Sequence, residues 1–236
     1  MPSPLTISKD AELKRLLDHI AHDIINAGAY LRLHSALAER FESHKHEVNQ
    51  TPAFWTFTAN AVRDAGLLCL ARILDQRHGA LSLYTLLLTI RDHPEFFADE
   101  AVRKRVNPIY AESMRSGCHT VDNQLLTEHL KLVSAEDPLT KKIVLWRNTL
   151  GAHRASRVIL TGQFPEAGLA SRDDCVTLLD RAFSIFNHYT SLFHATTTST
   201  KIIGEENHDF VFELLRIGLK TYEHQFARDL ENVPSA

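Results

Sequence analysis

The chain has 236 residues, of which 44% are apolar and 23% charged, which excludes a disordered segment and a low-complexity tail. Its formal charge of −3 speaks against a uniformly basic nucleic-acid-binding domain, and its 9 Gly and 8 Pro disfavour a turn-rich β-sandwich. Length allows one large domain or two small ones. The three cysteines, Cys69, Cys118 and Cys175, are far apart and form no CxxC, as expected of a protein in a reducing cytoplasm without a thiolate zinc site. No signal peptide is evident, and no apolar run reaches the ~20 residues that span a bilayer. The sequence thus predicts a cytoplasmic protein away from the membrane.

Hydrophobic residues recur every three to four positions. Leu13, Leu16, Leu17, Ile20, Ile24, Ala27 and Leu31 mark one face of a long helix from about Ser8 into the low forties. Thr51-Pro52 is a capping hydroxyl followed by Pro at the first helical position. The stripe Trp55, Ala59, Val62, Gly66, Cys69, Ile73 follows, with Gly79 placed to end that helix. On it Arg63, Asp64, Arg72 and Asp75 read as a structural charge network.

Leu83 to Arg91 predicts a third helix that stops before Pro94. Weaker helical pieces run from Phe96 to Val106 and from Ile109 to Met114, broken at Ser116-Gly117. Asp122 opens a helix to about Val133, and Asp137-Pro138 opens the next, with Leu139, Ile143, Trp146 and Leu150 as its stripe. Gly162, Pro165 and Gly168 mark a loop. Ser171 caps a helix to Phe193 carrying Val176, Leu179, Phe183, Phe186, Tyr189 and Phe193. Thr196 to Thr200 is a connector, and a last amphipathic helix covers about 207–230 with Phe210, Leu214, Ile217 and Tyr222 on its apolar side. The expected architecture is all-α: a single-domain bundle of four or more long helices with shorter inserted ones.

The charge is unevenly spread. Between Asp137 and Glu166 there is no acidic residue, while Lys141, Lys142, Arg147, Arg154 and Arg157 give +5, so the rest of the chain carries −8. A local basic stripe is the footprint of phosphate or nucleic-acid contact. Equally, it can be a solvated face that balances acids on adjacent helices.

Inside this window lies Arg147-Asn148 followed by Gly151-Ala152-His153-Arg154. With 14 His in the chain, five Arg residues have a His five to seven positions downstream, but only Arg147 is followed by a polar residue. This run resembles the HEPN superfamily, whose signature is an Arg, usually followed by a polar residue, with a His five to seven positions later. It is similar in particular to the abortive-infection AbiU2-like branch, as are Phe54-Trp55, the helix ending near Leu74-Asp75, and the helix with Phe183, Ile185, Phe186 and Asn187. The resemblance covers about residues 8–195, leaving the helix at 207–230 outside it.

The resemblance implies metal-independent, cofactor-free RNA cleavage in a toxin–antitoxin or phage-defence setting, with RNA as substrate. It assigns His153 as acid/base, Arg147 as phosphate clamp and Asn148 as orienting group. It gives Arg154, Lys141, Lys142 and Arg157 contacts to the RNA backbone. It also implies a homodimer with both motifs in one cleft, and an antitoxin or nucleotidyltransferase partner.

On a straight α-helix six residues put His153 about 120° around and about 9 Å along from Arg147. The two then converge only if the helix ends or bends near Gly151, or if a second subunit completes the site. The competing functional reading, resting on the same basic helix and this non-convergence, is a non-catalytic helical module that binds RNA, nucleotide or a partner protein. Structurally, His153 can also continue the apolar stripe as a core or end-of-helix histidine while Arg147 pairs with an acidic residue from another helix. His19 and His22 (i, i+3) and His44-Lys45-His46 lack a nearby ligand-like carboxylate or Cys, so no metal site is expected.

Overall fold

The computed structural model describes residues 2–151, 160 and 170–231. Among these residues there are ten α-helices and no strand. Four are long: α1 (Asp10–Ser43), α3 (Pro52–Ile73), α9 (Arg172–His194) and α10 (Asn207–Glu231). The shorter ones are α2 (Lys45–Val48), α4 (Leu83–Asp92), α5 (Asp99–Arg105), α6 (Pro108–Ser113), α7 (Asn123–Leu132) and α8 (Pro138–Trp146). The chain is all-α, and the predicted starts hold where a capping side chain fixes them. Ser82 Oγ accepts from Thr85 N, Asp122 from Gln124 N and Leu125 N, and Asp137 from Thr140 N.

At α9 the cap is a full box: Ser171 Oγ accepts from Asp174 N at 3.1 Å, and Asp174 accepts from Ser171 N at 2.9 Å. Ser171→Ala is therefore expected to lower stability by about 1 kcal/mol, read as a shift in the urea midpoint. An unchanged midpoint would count against the cap's energetic role.

The chain divides into two compact units. The first comprises Met1–Gly28 and Asp64–Thr200. Its core is built from the buried faces of α1 (Leu13, Leu17, Ile20, Ile24), the end of α3 (Leu70, Ile73) with Leu74 just past it, α4 and α9 (Leu178, Ile185, Phe186, Tyr189, Phe193). In α4 the buried side chains lie all round, as expected for a helix through the middle of a core. Its buried hydroxyls are satisfied: Thr89 Oγ1 donates to Thr85 O and accepts from Leu5 N, and Thr85 Oγ1 donates to Ala80 O. Arg105 ties three elements by pairing with Asp10 at 2.9 Å, donating to Phe193 O and Phe96 O, and lying 3.9 Å over the Phe193 ring.

The second unit comprises Ala29–Arg63 and Lys201–Ala236. Its core is small: Leu37, Trp55 and Phe212 are buried, with Trp55 and Phe212 stacked 5.0 Å apart. Ion pairs Arg32–Glu205 and Arg40–Asp209 (2.6 Å) and the hydrogen bond between His46 Nε2 and Glu223 Oε1 (2.8 Å) hold α10 and the segment before it against α1 and α2.

Several sequence expectations need correction. Helix α3 ends at Ile73, well before Gly79, because Asp75 Oδ1 accepts from Arg77 N and turns the chain out of the helix. Gly79 instead supplies a positive φ of 76° in the turn that follows. The piece at Phe96 to Val106 is split into a 3-10 turn at Pro94–Phe97 and α5. On α9 the buried line runs through Cys175, Leu178, Ala182 and Ile185, which leaves Val176 exposed. On α10 the expected inner stripe of Phe210, Leu214, Ile217 and Tyr222 is exposed, and Phe212 is the buried anchor. The loop with Gly162, Pro165 and Gly168 lies outside the described residues.

Three histidines of the first unit are held neutral. Burial pushes His129 down, reinforced by His188 and opposed by Glu128; its Nδ1 lies 3.0 Å from Tyr189 Oη. Burial also pushes down His188, against Asp122, and His194, which faces Lys14, Asp18 and Arg105. The unfolded chain protonates these imidazoles near pH ~6.5 while the folded one resists. Their stabilisation is thus complete above about pH 6.5 and lost as pH falls through the depressed folded values. Melting temperature should drop as the buffer is taken from neutrality towards pH ~5. A flat profile over that range would contradict the burial of these imidazoles.

Candidate functional site

Helix α8 carries the first half of the basic segment. Asp137 caps it and also pairs with Arg181 at 2.9 Å. The line it buries is Thr140, Ile143 and Arg147. The expected stripe is thus displaced by one position: Ile143 is shared, whereas Leu139 and Trp146 are half-buried. Placing a guanidinium in line with a core isoleucine requires an anion inside the protein.

That anion is Asp75, just past the end of α3. Arg147 Nη1 lies 2.7 Å from Asp75 Oδ1, an ion pair without the alignment of a hydrogen bond, and the two residues are 7% and 4% exposed. On its other side Arg147 donates from Nε (3.1 Å) and Nη2 (2.9 Å) to Asn148 Oδ1. Asp75 is further held by Arg77, whose Nε and Nη2 donate to Asp75 Oδ2 at 3.0 and 2.8 Å. Burial pushes the Asp75 carboxyl up, but the hydrogen bonds from Arg77 and the guanidinium of Arg147 beside it outweigh that and keep the group below its usual range.

The helix changes its winding at the same residue: Arg147–Gly151 is a π-helix. The local sequence explains this, since Asn148, Thr149 and Gly151 are all weak helix formers. Asn148 spends its carbonyl on Arg147, and buried Thr149 bonds back from Oγ1 to Leu145 O at 2.8 Å. Wide turns of this kind concentrate at functional positions. From Arg147 to Gly151 the winding is thus wider than that of a straight α-helix, and position 153 lies outside the described residues.

The remaining candidates divide into two groups. Lys142 is paired with Asp174 at 2.8 Å, and that pair together with the Ser171 cap holds the Asp174 carboxyl below its usual range. Lys141 is exposed to solvent. Asn148 is exposed while its neighbour Arg147 is buried, and it orients Arg147 directly. His153, Arg154 and Arg157 lie outside the described residues.

Sequence reasoning missed the pairing of Asp75 with Arg147. The available signal was a single carboxylate closing the run Leu67 to Leu74, where it needs a cation. Arg72 is separate from this cluster and pairs with Asp23 at 2.5 Å. Among the described residues no three His, Cys, Asp or Glu side chains group to hold a metal, and no helix is long and apolar enough to cross a membrane.

The family model HEPN_AbiU2 (AbiU2) matches residues 10–211, which takes in the α3–Asp75 corner, α8, the π-helical turn and all of α9. It reaches into the first turn of α10, further than the 195 expected from the sequence. No curated protein and no solved structure matches the chain.

Proposed function

The chain belongs to the AbiU2 family of HEPN domains, and on that premise we propose that it is a metal-independent endoribonuclease acting as a toxin or phage-defence effector. The ribose 2′-oxygen attacks the adjacent phosphorus and the bond to the 5′-oxygen breaks, leaving a 2′,3′-cyclic phosphate. The 2′-hydroxyl loses a proton and the leaving oxygen gains one. His153 exchanges protons in this step, a role suited to an imidazole near neutral pH. Arg147 places fixed positive charge beside the phosphorane, and Asn148 sets its direction. Arg154, Arg157, Lys141 and Lys142 supply contacts to the RNA backbone. The active form is a homodimer with both motifs in one cleft, neutralised in the cell by an antitoxin or a nucleotidyltransferase partner.

The observation that supports this reading most directly is the Arg147-Asn148 pair. Its guanidinium is held on two sides at the start of a π-helical turn, a few residues before His153. The test is expression of the wild-type, Arg147→Ala and His153→Ala chains, scored for growth arrest and for RNA cleavage in chelator. Loss of both activities in the variants is the expected result, and unchanged cleavage would sink the assignment.

A second reading is favoured by the burial of Arg147 and its engagement by Asp75, which satisfy it within the chain. In that reading the domain binds RNA, nucleotide or a partner protein without cutting. It predicts salt-sensitive RNA binding and no cleaved product.

A further inference from the structure

Asp75 holds one more cation than its own charge requires. Arg147 Nη1 lies 2.7 Å from its Oδ1 inside the protein, and that pairing alone balances the carboxylate. Arg77 nevertheless reaches the same carboxylate from the solvent side. Its Nε and Nη2 donate to Oδ2 at 3.0 and 2.8 Å, and its backbone N–H donates to Oδ1 at 3.0 Å. The trio therefore carries a surplus positive charge within a chain whose total is −3. All three residues belong to the first compact unit.

The two guanidinium groups differ in what they leave open. Arg147 is 7% exposed, with Nε and Nη2 taken by Asn148 Oδ1 and Nη1 set against Asp75. It can project charge, but little of its fork is open to a ligand. The side chain of Arg77 is 69% exposed, and its Nη1 has no partner among the described residues. An exposed pair of this kind adds little to stability. Its effect is on direction: the bonds to Asp75 hold the fork in one pose, which lowers the ordering cost of gripping an anion. The described half of the basic segment offers little such surface. Lys142 is paired with Asp174 at 2.8 Å and Arg147 is buried, which leaves Lys141 in solvent. Arg77 adds a second exposed cation, and Asp75 joins it to Arg147.

From this arrangement we infer that Arg77 is a binding residue of the same site, holding a backbone phosphate of the RNA next to the one that reacts. The inference takes its ligand from the nuclease reading proposed above and divides the work between the two arginines. Arg77 grips the substrate throughout, whereas Arg147 acts on the charge that develops at the phosphorane. A contact made equally in ground and transition states is felt in KM and hardly in kcat.

The test pairs cleavage kinetics of a defined RNA in chelator with fluorescence anisotropy of the same sequence 2′-O-methylated throughout, which lacks the attacking hydroxyl. Arg77→Ala should raise KM for the first and Kd for the second by about 10-fold, with kcat within about threefold of the wild type. The slope of log K against log salt should shrink by about 0.7, the share of one phosphate on a single strand. Arg77→Lys keeps the charge and should recover most of the affinity. Arg115→Ala removes the same charge from another exposed position of the unit and should bind as the wild type does. The melting temperature of Arg77→Ala should fall by less than about 4 °C, so that weaker binding is not a loss of fold. If the wild type binds and cuts RNA while Arg77→Ala keeps its KM, Kd and salt slope, the inference fails and the nuclease reading stands. An equal loss in Arg115→Ala, or a fall in kcat with Kd unchanged, would also overturn it. Binding without cutting, weakened in Arg77→Ala, upholds Arg77 and removes the nuclease reading; a wild type that neither binds nor cuts overturns both.

Discussion

Replacing His153 with alanine is expected to slow RNA cleavage by roughly 10²–10⁴-fold, the range that a positioned proton-transfer group contributes. The variant should still bind RNA, because the cationic residues of the segment remain. Arg147→Ala is expected to cost roughly 10²–10³-fold, as for loss of one preorganised charge-stabilising donor. Arg147 is also paired to a buried carboxylate, so its removal disturbs the fold as well as the chemistry. Arg147→Lys separates the two effects. Lysine keeps a cation beside Asp75 but lacks the planar fork that reaches Asn148 and a phosphate together. Cleavage by Arg147→Lys should therefore remain impaired while its melting temperature stays near that of the wild type. Full activity in that variant would count against the clamp.

Asp75→Asn is expected to destabilise the chain by about 3 kcal/mol, because it leaves the Arg147 charge buried with only an amide beside it. For a chain of this size that corresponds to a drop of about 6–12 °C in melting temperature. Arg77→Ala makes the contrast, because its side chain is exposed and its pairing with Asp75 is worth less than about 1 kcal/mol. The pH dependence follows in sign. The Asp75 carboxyl is held below its ordinary value in the folded state, so its stabilisation is complete above about pH 4 and lost as pH falls through the folded value. A melting temperature unchanged by Asp75→Asn would mean that the buried pair is not an organising contact.

What the sequence made legible was local. Asp137-Pro138, Ser171 and Asp122 act on backbone groups within three residues, so their chemistry can be read from neighbours alone. The 3.6 period gave the long helices for the same reason. Long-range pairing was not legible in this way. Asp75 and Arg147 are 72 positions apart, and nothing in either neighbourhood names the other. Periodicity identified Phe210, Leu214, Ile217 and Tyr222 as one apolar face, but it cannot say whether this chain or another covers that face. The projection from Arg147 used an unbroken α-helix, whereas the run Asn148, Thr149, Gly151, with its side-chain bonds back to the backbone and to Arg147, winds more widely as far as Gly151. The +5 segment was legible as composition, while its local neutralisation by Asp75 and Asp174 appeared only in three dimensions.

The end groups of the products report the chemistry at the cut. Purified full-length protein is incubated with a defined RNA in excess chelator, and the fragments are analysed by mass spectrometry. The expected fragments end in a 2′,3′-cyclic phosphate and begin with a 5′-hydroxyl, and they are absent with His153→Ala. Fragments that begin with a 5′-phosphate and appear only with added divalent metal would contradict it, as would salt-sensitive RNA binding with no fragments at all.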